Sequence, residues 1–195
     1  MDPGVLASPS TVAAGILAAV AGMLLGVFFA TGSDAWGRAN DAASAAFAVL
    51  LVPAALVLYD RYAPAAGVWA GAFTTLGLAA IAAAAVSSAL TALGRLSVAD
   101  LTKWQGGSFA ALFLWVGAVS VSVLAYGGLP AGIGWLGLAA TGLALVATLE
   151  IVRIVRRVGI EELARLTRPP VLAAGAALAA FVAFPLWCIS LGLAL

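Results

Sequence analysis

Residues 104–149 read WQGGSFAALFLWVGAVSVSVLAYGGLPAGIGWLGLAATGLALVATL, 46 positions without a charged side chain. At about 1.5 Å per residue a single helix of that length measures about 69 Å, against a hydrocarbon core of roughly 30 Å. The run therefore reads as two crossings. Tyr126-Gly-Gly-Leu-Pro130 is the turn between them: two glycines free to take positive φ, then a proline with no N–H to continue a helix.

C-terminal to that run lies Glu150–Arg168, EIVRIVRRVGIEELARLTR, which carries Arg153, Arg156, Arg157, Arg165 and Arg168, five of the nine basic residues. A short basic connection between apolar blocks stays in the cytoplasm. Pro169-Pro170 ends it, and residues 171–194 form the last crossing, with Pro185 as a kink. Toward the N-terminus, residues 11–31 are an uncharged first crossing. Residues 42–60 are a second, interrupted by Pro53, and residues 66–93 a third, long enough to tilt. The fourth and fifth are residues 106–126 and 131–153. The spacing thus predicts an all-α bundle of six transmembrane helices in one domain, 1–195, with both termini outside. A cytoplasmic amphipathic segment is expected at 156–168. The N-terminal MDPGVLASPST lacks a basic region, so the first apolar run is expected to be retained.

Composition agrees. The chain is 65% hydrophobic and 9% charged over 195 residues, against roughly 25% charged in a soluble domain. No histidine is present and Cys188 stands alone. That excludes His-ligated metal, a His-dependent catalytic triad, a cysteine metal site and a disulfide framework. The single lysine, Lys103, sits at an interface rather than inside an apolar helix, and no glycine-rich phosphate loop occurs. No cofactor is implied, and no basic patch interleaved with aromatics suggests nucleic acid.

Two patterns test the topology. Under six crossings, Arg38, Arg95, Lys103 and the five arginines fall on the cytoplasmic side, leaving only Arg61 outside. Independently, Tyr59, Tyr62, Trp69, Tyr126 and Trp135 fall at the outer interface, and Trp36 and Trp104 at the inner one, as amphipathic rings prefer. Trp115 alone falls in mid-helix. The two halves share no motif, which counts against an inverted-repeat transporter.

Polar chemistry concentrates on the cytoplasmic side. Asp34, Arg38, Asn40 and Asp41 lie in the first polar break, TGSDAWGRAND. If that break is helical, Asp34, Arg38 and Asp41 share a face at i, i+4, i+7. They then offer two carboxylates for acid–base work and an arginine for an anionic group. The plainer alternative is that Asn40 or Asp41 caps the second helix and Arg38 pairs with Asp34. Glu150 is the deepest carboxylate on this reading, with Arg153 at i+3. Its alternative is an ion pair snorkelling to the interface. Tyr59-Asp60-Arg61-Tyr62 reads as an ordinary helix end, Ser97 or Asp100 as caps, and Gly22/Gly26 as a chance GxxxG step.

The run WGRANDAASAAFAVLLVPAALVLYDRY, residues 36–62, resembles a pattern in small multi-pass membrane proteins of high-GC bacteria. The resemblance implies a bacterial inner-membrane location and transfers no activity or site.

The leading functional expectation is a cytoplasm-facing pocket for an amphiphilic or lipid-like small molecule. Glu150, Asp41 and Asp34 are its candidate catalytic groups, and Arg38, Asn40 and Arg153 its candidate ligand contacts. Membrane lipid is the expected surrounding partner. The alternatives are a small-solute transporter, needing polar groups such as Thr74, Thr75, Ser120, Ser122, Thr141 and Thr148 to continue through the bundle, and an accessory subunit of a membrane complex. The orientation is tested by labelling. A cysteine placed at Gly159 should resist an impermeant maleimide in intact cells, and one placed at Asp60 should react; the reverse pattern overturns the topology.

Overall fold

The structure, a computed structural model, describes residues 3–96, 98–158 and 171–195. Among these residues seven helices are described: α1 (Pro3–Thr31), α2 (Asp34–Leu50), α3 (Val52–Ala66), α4 (Val68–Ala92), α5 (Val98–Tyr126), α6 (Ala131–Val158) and α7 (Val171–Ala194). α2 and α3 are two halves of one crossing, so the chain is an all-α multi-pass membrane protein with six spanning helices. Ser97 and most of the amphipathic segment expected at 156–168 lie outside the described residues; Arg156 and Arg157 close α6.

The break between α2 and α3 follows from Pro53. Proline has no N–H to return to Val49, and the chain tightens by one residue at Leu51, whose N–H reaches Ala48 O at 3.1 Å. Helix then resumes, Ala55 N–H bonding Leu51 O at 3.0 Å. Several of the described connections are short because they use a glycine at positive φ. Gly32 (φ 66°) turns α1 into α2, and Gly67 (φ 54°) alone separates α3 from α4.

The polar break after the first crossing is shorter than its composition suggests. Only Gly32 and Ser33 lie outside helix, and α2 begins at Asp34. Asn40 and Asp41 therefore stand nearly two turns inside α2 and cap nothing; Ser33 occupies the N-cap position. α1 likewise starts at Pro3 rather than near Thr11, with Pro9 inside its first turns.

Neighbouring helices close into a ring. α1 packs on α2 and α3, these on α4, α4 on α5, α5 on α6, α6 on α7, and α7 back on α1. Large apolar side chains such as Ile16, Phe29, Val86, Val121, Leu178 and Leu193 point outward, while alanines fill the contacts within. This inversion of the water-soluble pattern suits lipid, where helices gain from close backbone approach rather than from hiding apolar surface. The closest approaches are at Gly15, set against Ile189 and the Pro185 carbonyl, and at Gly192, set against Val12 and the Ser8 carbonyl. They hold α1 antiparallel to α7. The Gly22/Gly26 step is not such a contact: nothing lies within 4 Å of Gly26.

The middle of the bundle is aromatic. Trp115 of α5 meets Trp187 of α7 edge to face, centroids 6.0 Å apart at 88°. Phe184 sits 5.3 Å from Phe113 and 5.7 Å from Phe47, joining α2, α5 and α7. Trp115, the one ring the interface pattern left over, is thus a fully buried core residue. It fits because Gly77 of α4 has no side chain where the indole lies.

At one end of the ring Arg61 Nη1 donates to Gly128 O at 2.9 Å, and the Tyr62 hydroxyl to Gly127 O at 3.2 Å. The YDRY segment is therefore more than a helix end: it ties α3 to the α5–α6 turn. The glycine that admits Trp115 gives a test. Gly77→Ala should lower stability in detergent by about 1–3 kcal/mol through overpacking, Gly77→Ala combined with Trp115→Phe should recover part of the loss, and Gly26→Ala should change nothing.

Candidate functional site

The opposite end of the bundle gathers the N-terminal half of α2, the C-terminal part of α4 and the first turns of α5. α2 presents Asp41 and Ser44 to the interior at i, i+3, with Asp41 only 8% exposed. α5 presents Gln105 and Ser108 at the same spacing, continuing into Leu112 and Trp115 of the core. α4 contributes Ser87 and Ser88, both buried.

These side chains form one hydrogen-bonded cluster across three helices. The Gln105 amide nitrogen donates to Asp41 Oδ1 at 2.8 Å and to Ser88 Oγ at 3.3 Å. Asn40 Nδ2 approaches the same Oδ1 at 3.4 Å. The Ser87 and Ser108 hydroxyls lie 3.4 Å apart. Ser108 donates to the Gln105 carbonyl at 2.9 Å, and Thr91 to the Ser87 carbonyl at 2.9 Å. One glutamine thus spends both amide hydrogens bridging α2 to α4. A buried carboxylate needs such donors, because an unmet charge in a poorly polar interior is costly.

Among the residues singled out from sequence, Asp41 and Asn40 come together here. Asp34 lies in the first turn of α2, where a carboxylate suits the positive end of the helix dipole. Asp34 and Arg38 are both exposed. Arg38 pairs with neither aspartate: the one ion pair within 4 Å among the described residues is Arg153–Glu150, at 3.4 Å. That pair is on α6, which packs against α5 and α7 and is not α2's neighbour in the ring. Glu150 and Asp41 thus stand on helices that are not neighbours, with α5 between them. Glu150 has 24% of its side chain exposed and Arg153 60%, the geometry of a pair reaching toward the interface. Of the two carboxylates, Asp41 is the one enclosed by protein.

Gln105, Ser88, Ser87 and Ser108 did not stand out from sequence. Gln105 read as the last polar residue of an interfacial segment, and serines inside apolar helices usually bond their own backbone. The signal that marks them is the stripe Gln105, Ser108, Leu112, Trp115 on α5, which puts the amide on the same face as the core tryptophan.

Beyond this cluster, four of the six hydroxyls that a transport path would need are turned onto backbone, while the buried Thr74 Oγ1 has no partner among the described residues. Ser120 bonds Val116 O at 2.7 Å, Ser122 bonds Ala118 O at 3.0 Å and Thr148 bonds Ala144 O at 2.8 Å. Thr141 reaches across to Phe113 O at 2.9 Å, tying α6 to α5.

The cluster and the α6 pair should respond differently to mutation. Gln105→Met removes the donors that Asp41 and Ser88 use and should cost about 1–3 kcal/mol in detergent melting. Glu150→Gln breaks a half-exposed pair and should change stability by less than about 1 kcal/mol. Equal losses from the two would contradict this assignment. No family model matches the chain, and no curated protein or solved structure matches it, so the chemistry of the site rests on its own geometry.

Proposed function

We propose that this membrane protein binds an amphiphilic small molecule at the end of the bundle that carries Asp41. The ligand's polar group meets the Asp41–Gln105–Ser88 cluster, and its apolar part lies in a groove between α4 and α5. The observation that carries this reading is that cluster and groove share a residue. Ser87 lines a groove of about 470 Å³ with Ala82, Ala83, Val86, Leu90, Leu96 and Trp104, and the Ser87 hydroxyl faces Ser108 one turn from Gln105. The volume is within the roughly 300–1,000 Å³ of small-molecule sites. The groove opens toward the outward-facing residues of α4, where lipid chains run, and turns polar only at its inner edge. That gradient matches a molecule with a polar head and an apolar tail.

On this reading Asp34 and Arg38 stand at the aqueous mouth, with Asn40 supporting Asp41. The Glu150–Arg153 pair anchors the end of α6 at the interface. Asp41 is also the group that proton transfer at such a site would use. The basic residues on this end, Arg38, Arg95 and the arginines of α6 among them, support its facing the cytoplasm, and with it an inner-membrane location and outside termini. The transport alternative has less support, because the layer of Phe47, Phe113, Trp115, Phe184 and Trp187 occupies the bundle axis.

Thermal unfolding in phosphatidylcholine nanodiscs tests the reading. At least one of dodecanol, dodecanoate and dodecylammonium should raise the melting temperature in a concentration-dependent way, approaching about 2.7 kcal/mol at a hundredfold excess over Kd. Ala83→Trp, which fills the groove from an outward-facing position, should abolish that rise without lowering the basal melting point. If no probe stabilises, or the tryptophan variant responds like the parent, the groove is not a binding site.

A further inference from the structure

We infer that the polar group this site takes is a cation, an ammonium head on the amphiphile. The inference rests on the binding site proposed above and names its charge.

The reason is an imbalance around Asp41. The carboxyl is 8% exposed, yet its recorded hydrogen bonds come from neutral amides, Gln105 at 2.8 Å and Asn40 at 3.4 Å. Both fall on Oδ1. Neither Arg38 nor Arg95 forms an ion pair with this carboxylate, and the Lys103 side chain lies outside those described. Arg38, one turn away on the same helix, is exposed. Enclosed carboxylates are normally paired, because removing one from water without a counter-charge is expensive. Here the protein supplies orientation and leaves the charge open.

What a polar head meets here is a carboxylate already oriented by neutral groups. Gln105 has committed both amide hydrogens, and Ser88 Oγ already accepts from it. An ammonium has three donors and no acceptor, so it complements such a surface. A hydroxyl head brings a single donor and leaves the charge uncompensated, and a carboxylate head meets a like charge. Trp104, 67% exposed at the rim of the groove, adds an aromatic face that favours a passing cation.

The same three dodecyl probes decide the matter, because they share a tail and differ in charge. Binding is measured by titration into zwitterionic nanodiscs, with uptake by empty discs subtracted. Dodecylammonium should bind at least ~10-fold more tightly than dodecanol, and dodecanoate most weakly. Asp41→Asn keeps the shape and should bring dodecylammonium down to the level of dodecanol, leaving dodecanol itself within about 2-fold. Gln105→Lys keeps the carboxylate but supplies an internal cation, and should erase the ammonium preference by the opposite route. It also serves as the test if the asparagine variant does not fold. The inference is overturned if dodecanol or dodecanoate binds as well as dodecylammonium, or if either variant keeps the preference; the groove as an amphiphile site then stands. Stabilisation by sodium chloride alone, dependent on Asp41, assigns the charge to an inorganic cation and also overturns it. Failure of all three probes removes the binding site itself.

Discussion

Inside a bilayer no water is at hand to satisfy a backbone N–H or C=O, so each crossing must meet its own polar groups. Nearly everything in this chain follows from that constraint. It makes the apolar runs helical even where alanine and glycine dominate. It also explains why Pro53 does not end its crossing. The helix breaks for one residue at Leu51, with Leu51 N–H turning to Ala48 O, and resumes. In water the freed carbonyl would find solvent and the segment would more readily come apart. In hydrocarbon the break is confined to the least that proline's missing donor requires.

Once the backbone is closed on itself, helix association has little hydrophobic drive and depends on fit. The fit here is small against large. Gly77 opposite Trp115, Gly137 opposite Trp187 and Gly15 opposite Ile189 each remove a side chain where a larger one must lie. The two indoles fill the axis by volume rather than by hydrogen bonding, since neither N–H has an acceptor among the described residues. Their edge-to-face contact brings α5 and α7 together across the ring, which the sequential neighbours alone do not do. The aromatic layer is thus what makes a filled bundle out of a ring of six.

The number of crossings was legible because it depends on length and charge alone, which need no knowledge of neighbours. The 46-residue uncharged run had to fold back, and Tyr126-Gly-Gly-Leu-Pro130 was the turn signal near its middle. Helix ends were less legible. Asp34–Asp41 looked like a loop by polarity, yet Gly32 and Ser33 suffice for the turn and the polar residues continue as helix. Propensity failed there because a helix at a membrane surface can carry charge on its first two turns at little cost. The site was half legible. Asp41 stood out because a carboxylate beside a crossing is rare, whereas Gln105 did not, because its importance lies in what α2 and α4 bring to it. Glu150 misled for the complementary reason. Depth counted along the sequence says nothing of which way a side chain leans, and Arg153 one turn on draws this one outward.

The two carboxylates show how the same residue type takes different roles from its surroundings. Glu150 has a mobile, exposed cation on its own helix, so its charge is met locally and at little gain. Asp41 is held by an amide that is itself fixed to a second helix through Ser88, so three helices must keep register for the cluster to exist. An apolar residue of similar size at position 41 would close that end of the bundle with no desolvation to offset. Retaining an enclosed carboxylate and orienting it with neutral donors is a poor way to stabilise α2 against α5. On the proposed reading it is a good way to keep a negative charge where a ligand can reach it.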